Sequence, residues 1–252
     1  MPWSALVCSE TPPATAIVVR IALPEDPGPP HDARSLDATW LDATWLDDAE
    51  RDRLGGFVRA LDARRYARAH RGLRAVVGRF AGIAPQAVAW RTGPHGKPAL
   101  ANDAAHGLEF NLSHSGSWAL AAVARAPVGI DVERLRPIDR LDRLAERWCT
   151  AAERARLAAL DGAEREAHFL ACWTAKEALL KAIGCGLAGD AQSIETPPPT
   201  EPGRFVPIAA PAALSSAPWQ VAWFAPDSRH VAALACPPTI ERVLLADWHG
   251  DG

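Results

Sequence analysis

The chain has 252 residues, of which 48% are hydrophobic and 23% are charged, and its formal net charge is −3. This composition is typical of a globular protein that buries a real core, in one large domain or two smaller ones. The slightly acidic balance argues against a protein that binds nucleic acid over its whole surface. No apolar run approaches the ~20 residues of a membrane helix, and a signal peptide is not expected because the start lacks a basic segment.

The cysteines indicate a reducing compartment. There are five, an odd number, and no two of them form a CxxC pair. Such spacing favours free thiols over a disulfide framework or a zinc site. We therefore expect a cytoplasmic protein that is not bound to a membrane.

The first predicted strand covers residues 14–23, where apolar residues dominate. A loop rich in Pro follows at 24–30, and the pentapeptide LDATW then occurs twice, at 36–40 and 41–45. A repeat this short predicts no repeat architecture, and we attach no function to it.

A basic helix is predicted from about residue 62 to residue 80. Residues 50–79 contain nine arginines and three acids, a local balance of +6. The predicted polar face carries Arg64, Arg68, Arg71 and Arg79. Such arginines are usually solvated, but guanidinium groups also bind phosphate in a bidentate manner. Nucleic acid is the weaker alternative, because aromatic residues are not interleaved and no nucleic-acid-binding motif is present.

Polar segments follow in the middle of the chain. A strand is predicted at 88–91 and a Gly/Pro loop at 93–98, and the segment FNLSHSGS at 110–117 leads into a strand at 118–124. The Ser–His neighbours do not indicate a serine hydrolase, since no G-x-S-x-G elbow exists. The turn after residue 124 predicts that this strand pairs with the next one, 128–133, as an antiparallel hairpin.

Acidic residues of one strand and one helix form a candidate metal site. In the strand GIDVE (129–133) the carboxylates of Asp131 and Glu133 lie on one face, about 7 Å apart. The helix predicted at 169–187 carries Glu177 and Lys181 beside an apolar stripe. A surface Glu–Lys pair is the simpler interpretation of the helix. The alternative is a magnesium site, because Mg²⁺ prefers carboxylate and phosphate oxygens.

The remaining segments are less informative. Residues 134–147 alternate basic and apolar side chains, and Thr150 with Glu153 predicts a capping box that starts a helix near residue 151. Pro-rich loops follow residue 189, with strands predicted near 219–225 and 230–236.

Five short motifs together resemble the 4′-phosphopantetheinyl transferases of the monomeric surfactin-synthetase type. GIDVE is followed about forty residues later by WTAKEALLK (173–181), and AHR (69–71), GKP (96–98) and NLSHSG (111–116) precede it in the family's order. Each motif is weak alone, but five in this order are specific. The resemblance spans residues 45–190.

The resemblance implies an α/β (α+β) fold with two similar halves, residues 1–126 and 127–252, related by a pseudo-two-fold axis. Each half is expected to be a small sheet packed on a long helix, with coenzyme A in the cleft between them. The implied enzyme is Mg²⁺-dependent and acts as a monomer. It transfers 4′-phosphopantetheine from coenzyme A to a serine of an acyl- or peptidyl-carrier protein and releases 3′,5′-ADP.

The resemblance also implies site residues. Asp131, Glu133 and Glu177 would hold Mg²⁺, or Mn²⁺ in its place, while Glu177 and Lys181 would be catalytic. The base is either Glu177 or a water molecule on the metal. The residues implied for coenzyme A are Arg53, Arg71, Lys97, Ser113, His114, Asp131, Lys176 and Lys181. The arginines implied to meet the carrier protein are Arg134, Arg136, Arg140 and Arg143.

One departure from the family is Gly72, which stands where the surfactin-type enzyme has a hydroxyl residue that contacts phosphate. Two other functions stay open from the residues alone. One is a Mg²⁺-dependent hydrolase of coenzyme A or another nucleotide diphosphate. The other is an inactive protein that binds carrier proteins or nucleotides.

Overall fold

The protein is described by a computed structural model that covers residue 12 and residues 14–25, 43–93, 95–101, 107–186 and 191–250. The strands are β1 (Thr15–Ala22), β2 (Trp90–Thr92), β3 (Pro98–Leu100), β4 (Glu109–Ser115), β5 (Trp118–Ala124), β6 (Gly129–Arg134), β7 (Val206–Ile208), β8 (Trp219–Phe224), β9 (His230–Cys236) and β10 (Arg242–Trp248). The helices are α1 (Asp48–Gly55), α2 (Ala60–Ala81), α3 (Leu141–Trp148), α4 (Ala151–Ala158) and α5 (Gly162–Ile183). Across these ranges, none of the helices combines the length and the apolar character needed to cross a bilayer.

Two four-stranded sheets organise the chain, in the orders β10-β1-β5-β4 and β6-β9-β8-β7. Three strands of each sheet repeat the same antiparallel pattern. In the first sheet β1 pairs with β5 and β5 with β4, and in the second β6 pairs with β9 and β9 with β8. Each sheet also carries one 22-residue helix, α2 on the first and α5 on the second. The predicted fold of two similar halves, each a small sheet on a long helix, is therefore confirmed.

Strand alternation explains the layers, because successive side chains point to opposite faces. In β1, Ile17 and Val19 face α2, whereas Ala16 and Val18 face the second sheet. The inner faces of both sheets share one core, and a separate core lies under α5. The order of layers is therefore α2, first sheet, second sheet, α5.

Two expectations about strand pairing need correction. The predicted hairpin of 118–124 with 128–133 is wrong, because β5 is paired on both edges by β1 and β4 while β6 pairs with β9. The last strand also departs from the predicted division at residue 126, since β10 returns to the first sheet and pairs in parallel with β1. Turn chemistry marks where a strand ends but not which sheet the chain enters next.

Local signals at helix ends are confirmed. Thr150 and Glu153 form the capping box that begins α4, and Gly184 ends α5 in the left-handed conformation with φ of 85°. The second LDATW copy contributes a 3₁₀ turn at Ala43–Trp45, whereas the first copy lies outside the described residues.

A buried carboxylate holds α1 against α2. Glu50 is 6% exposed, and its oxygens accept hydrogen bonds from His70 Nδ1 (2.8 Å), Arg74 Nε (2.7 Å) and Trp90 Nε1 (3.2 Å). Burial alone would raise the pKa of Glu50, but the hydrogen bonds from His70 and Arg74 outweigh it and lower the pKa to about 2. The ionised form is therefore the form that the fold stabilises.

This pKa predicts an acid-sensitive stability. Because the folded pKa is depressed from 4.5 to about 2, the contribution of Glu50 is complete above pH 4.5 and is lost as the pH falls towards 2. The loss amounts to about 3 kcal/mol. Urea unfolding between pH 6 and pH 2.5 measures it, with Glu50→Gln as the comparison. If both proteins lost stability in parallel, Glu50 would not be the group responsible.

Candidate active site

The two sheets meet where β4 and β6 lie side by side. Side chains at alternate positions of β4 accept hydrogen bonds from backbone amides at alternate positions of β6. The bonds run from Ile130 N to Asn111 Oδ1 (2.9 Å), from Val132 N to Ser113 Oγ (3.4 Å) and from Arg134 N to Ser115 Oγ (3.1 Å). These side chains take the place of a neighbouring strand for the edge of β6, and we call this row of bonds the seam.

The acidic residues of β6 lie at the seam, on the face turned to α5. Asp131 Oδ1 accepts from Lys181 Nζ at 2.6 Å and from Ser113 Oγ at 2.7 Å. Glu133 Oε2 accepts from Ser115 Oγ at 3.0 Å. Strand and helix therefore bring the carboxylates of β6 to the ammonium group of α5.

Glu177 is electrostatically coupled to the same residues. Burial raises the pKa of Glu177; Lys181 opposes this effect, whereas Asp131 and Glu133 add to it. The pKa of Glu133 is likewise raised, first by burial and then by Asp131. Neighbouring acids thus destabilise the charges of Glu133 and Glu177, which is the condition that a cation would relieve.

Two carboxylate oxygens support a bound cation. Asp131 Oδ2 and Glu177 Oε1 are buried and have no hydrogen-bond partner within the described part of the chain. A buried acceptor without a partner is costly, and oxygen donors are those that Mg²⁺ prefers. Across the described ranges, however, no group of three or more acidic, His or Cys side chains is arranged so that it could hold a metal ion by itself. The residues fit Mg²⁺ by donor type, while Lys181 neutralises Asp131 in the protein alone.

His114 is under the electrostatic influence of both long helices. The residue is exposed at the surface, but nearby protein atoms still remove part of the water around its ring. This desolvation lowers the pKa of His114, as do the charges of His70, Lys181 and Arg65. The ring is thus coupled both to α2 and to α5. A phosphate group bound beside it would favour the protonated ring, so His114 suits the role of anion ligand that was predicted for it.

Two cavities are lined by residues that were predicted to bind coenzyme A. One, of about 220 Å³, is lined by both halves: His95, Gly96, Lys97, Pro98, Asn111, Lys181, Gly184 and Gly186. The other, of about 390 Å³, lies along α2 and is lined by Ala22, Leu23, Pro24, Arg64, Ala67, Arg68, Arg71 and Trp248. Arg71 lines the second cavity and stacks over the Trp45 ring at 4.8 Å. Arg53 is exposed on α1.

Lys176 needs correction as a predicted ligand of coenzyme A. Its side chain is 1% exposed, and its ammonium donates to Glu153 Oε2 (2.6 Å), Trp148 O (2.7 Å) and Ala191 O (3.0 Å). An ammonium has three protons, so all of them are engaged inside the protein. Lys176 is a structural residue that joins α4 to α5.

Lys97 and Ser113 also differ from their predicted roles. The ammonium of Lys97 donates to Ala182 O (3.1 Å), at the C-terminal end of α5, and to Glu109 Oε2 (3.3 Å). It therefore caps a helix and links the halves. The hydroxyl of Ser113 already donates to Asp131 and accepts from Val132 N, so it positions an acid and is not available to a phosphate.

The arginines that were assigned to a carrier protein form an exposed surface beside the acids. Arg134, Arg136, Arg140 and Arg143 are all exposed. Arg140 adopts the left-handed conformation immediately before α3, with φ of 57°. Arg136 also lowers the pKa of Glu133. The basic surface is therefore electrostatically continuous with the seam.

Sequence reasoning missed the hydrogen bonds that Asn111 and Ser115 accept from the backbone of β6. The signal was present, because polar residues that alternate along a predicted strand share one face. It was masked by the Ser–His pair within the same motif. Glu153 was recognised only as a helix cap, and its burial against Lys176 depends on tertiary packing.

The fold and the site define an α/β protein of two similar halves, with acidic and basic groups at the seam between its sheets. Comparison with known families gives the same result. Residues 34–126 match the family described as 4′-phosphopantetheinyl transferase, N-terminal, and residues 127–235 match the 4′-phosphopantetheinyl transferase superfamily. The chain belongs to the 4′-phosphopantetheinyl transferase superfamily.

Several curated relatives are similar to this chain. The 4′-phosphopantetheinyl transferase HetI of Nostoc sp. is 38% identical over 65% of this chain and 66% of its own length. The transferase psf-1 of Bacillus pumilus is 35% identical over 51% and 53%, and Sfp of Bacillus subtilis is 33% identical over 46% and 50%. The chain thus spans about half to two thirds of the length of the relatives it matches.

Proposed function

We propose that this protein transfers the 4′-phosphopantetheine group of coenzyme A to a serine hydroxyl of an acyl- or peptidyl-carrier protein. The observation that carries the proposal is the contact of Lys181 with Asp131 at the seam, with Glu133 and Glu177 under the electrostatic influence of both residues, in a chain of this superfamily. Two of these carboxylates have a buried oxygen without a partner in the described structure. An inactive binding protein has no need of such a costly arrangement.

The reaction breaks the phosphoanhydride bond of the diphosphate of coenzyme A and forms a phosphodiester bond to the carrier serine. The serine oxygen attacks the phosphorus that carries pantetheine, the bond from this phosphorus to the bridging oxygen breaks, and 3′,5′-ADP leaves. Negative charge gathers on the diphosphate, so positioning and cations provide most of the catalysis. Bound Mg²⁺, held by Asp131, Glu133 and Glu177, would supply part of this positive charge.

Two residues of α5 carry the remaining steps. Lys181 is 26% exposed in its side chain and lies at the end of a flexible stem, so its ammonium can neutralise the leaving phosphate. Glu177, or a water molecule held on the metal, would accept the serine proton. His114 and Arg71 are the groups that we assign to the phosphates of coenzyme A.

Mass spectrometry of an apo-carrier protein tests the proposal. Incubation with the protein, Mg²⁺ and coenzyme A should add the mass of phosphopantetheine to the carrier. Incubation with coenzyme A alone is the control, because a hydrolase would release 3′,5′-ADP without any carrier and a transferase would not. Transfer would be refuted if 3′,5′-ADP were released in that control while the carrier stayed unmodified in the complete reaction.

We also propose that the protein works as a monomer in the cytoplasm. Cys149, Cys172, Cys185 and Cys236 are free thiols in the described structure, which suits a reducing compartment. Light scattering at the concentration used for activity measures the oligomeric state directly.

The carrier protein should meet the exposed arginines electrostatically. Reversing Arg140 and Arg143 to Glu should raise the KM for an acidic carrier by about tenfold, since surface charges steer association. The KM for coenzyme A should stay unchanged. The double reversal of Arg204 and Arg242, which are exposed elsewhere, alters the net charge equally and serves as the control. An equal effect of both double variants would mean that net charge alone is responsible.

A further inference from the structure

Two serines of the seam make the same pair of hydrogen bonds. Each accepts from one backbone amide of β6 and donates to the carboxylate of the residue just before that amide. The bonds are Val132 N to Ser113 Oγ (3.4 Å) and Ser113 Oγ to Asp131 Oδ1 (2.7 Å), with Arg134 N to Ser115 Oγ (3.1 Å) and Ser115 Oγ to Glu133 Oε2 (3.0 Å).

This arrangement fixes the direction of each hydroxyl proton. A serine hydroxyl has one proton and two acceptor lone pairs. When the amide occupies a lone pair, the proton is directed towards the carboxylate. The amide and the carboxylate belong to adjacent residues, so the serine ties the acid side chain to its own backbone.

The acids depend on their serines to different extents. Asp131 is held by Lys181 as well as by Ser113. For Glu133, Ser115 is the hydrogen-bond donor found in the described structure. Glu133 has the longer side chain and loses more rotamer freedom when one oxygen is fixed. The orientation of Glu133 therefore rests mainly on Ser115.

We propose that Ser115 is the positioning residue of Glu133, and that Ser113 has the same role for Asp131. The N-terminal half thereby orients the acids of the C-terminal half towards a divalent cation. This inference rests on the proposed function, because it takes Asp131 and Glu133 as metal ligands. Residues that orient ligands through hydrogen bonds commonly change metal affinity by 10–100-fold.

Binding of Mn²⁺ alone to the full chain tests this role without any turnover. Electron paramagnetic resonance measures free Mn²⁺ in the absence of coenzyme A. We expect Ser115→Ala to raise the Kd for Mn²⁺ by about tenfold. Ser115→Thr keeps the hydroxyl and should have the Kd of the parent protein. Asn111→Ala is the matched control, because Asn111 accepts from Ile130 N in the same seam but contacts neither acid.

The outcomes separate this inference from the proposed function. If Asp131→Asn did not weaken Mn²⁺ binding, the metal site itself would be wrong. If Asp131→Asn weakened it but Ser115→Ala did not, only the role of Ser115 would fail. Equal weakening of Mn²⁺ binding by Asn111→Ala would also overturn the role of Ser115, because loss of any one hydrogen bond of the seam would then explain the effect. Should Ser115→Ala fold poorly, Ser115→Cys keeps the packing, and an unchanged Kd in that variant would count against the proposal.

Discussion

Replacing Glu177 with Gln lowers the kcat of phosphopantetheine transfer by at least about 100-fold, which is the usual contribution of a positioned base. The amide keeps the shape of the side chain but neither accepts the serine proton nor carries charge towards a cation. The measurement is a time course of carrier modification followed by mass spectrometry.

The same variant should be at least as stable as the parent protein. Because folding raises the pKa of Glu177, chiefly through burial, the ionised form costs stability at neutral pH and the neutral amide removes this cost. Glu164→Gln, in the first turn of the same helix, is the control. It should leave kcat unchanged and should lower stability slightly, because a negative charge stabilises the start of a helix. Activity that fell only in step with the folded fraction would exclude a chemical role for Glu177.

Replacing Lys176 with Ala should lower the free energy of unfolding by about 3–5 kcal/mol, the usual cost of removing one partner from a buried ion pair. Glu153, which is 0% exposed, would lose its cation, and the carbonyl groups of Trp148 and Ala191 would lose a donor. Urea unfolding at neutral pH measures the loss.

Lys181→Ala is the comparison for this variant, because the two lysines share one helix. Lys181 is 26% exposed in its side chain, so its removal should cost less stability but should lower kcat. The folded fraction of Lys176→Ala should keep the parent KM for coenzyme A. A stable Lys176→Ala protein with a raised KM would restore the phosphate-binding role first predicted for Lys176.

The sequence predicted the features that depend on local patterns. Alternation along β6 placed Asp131 and Glu133 on one face, and the capping box of Thr150 marked the start of α4. Short motifs in a family's order predicted the fold with two similar halves. These inferences need only the period of a strand, the chemistry of a helix end and a recognisable order of motifs.

Long-range packing decided what could not be predicted. Lys176 and Lys181 look alike in the sequence, but Lys176 meets Glu153, which lies 23 residues earlier and on another helix. Lys97 lies in a predicted Gly/Pro loop and was assigned to coenzyme A, yet it reaches the end of α5. In each case the partner comes from an element whose position the local sequence does not reveal.

The parallel pairing of β10 with β1 has a consequence for biosynthesis. The first sheet cannot be completed until Arg242–Trp248 leaves the ribosome, although β1 is made among the first elements. Until then β1 presents one open edge, of the kind that invites association between nascent chains. A fragment that stops at residue 126 would keep this edge permanently, so we expect it to aggregate when it is expressed alone.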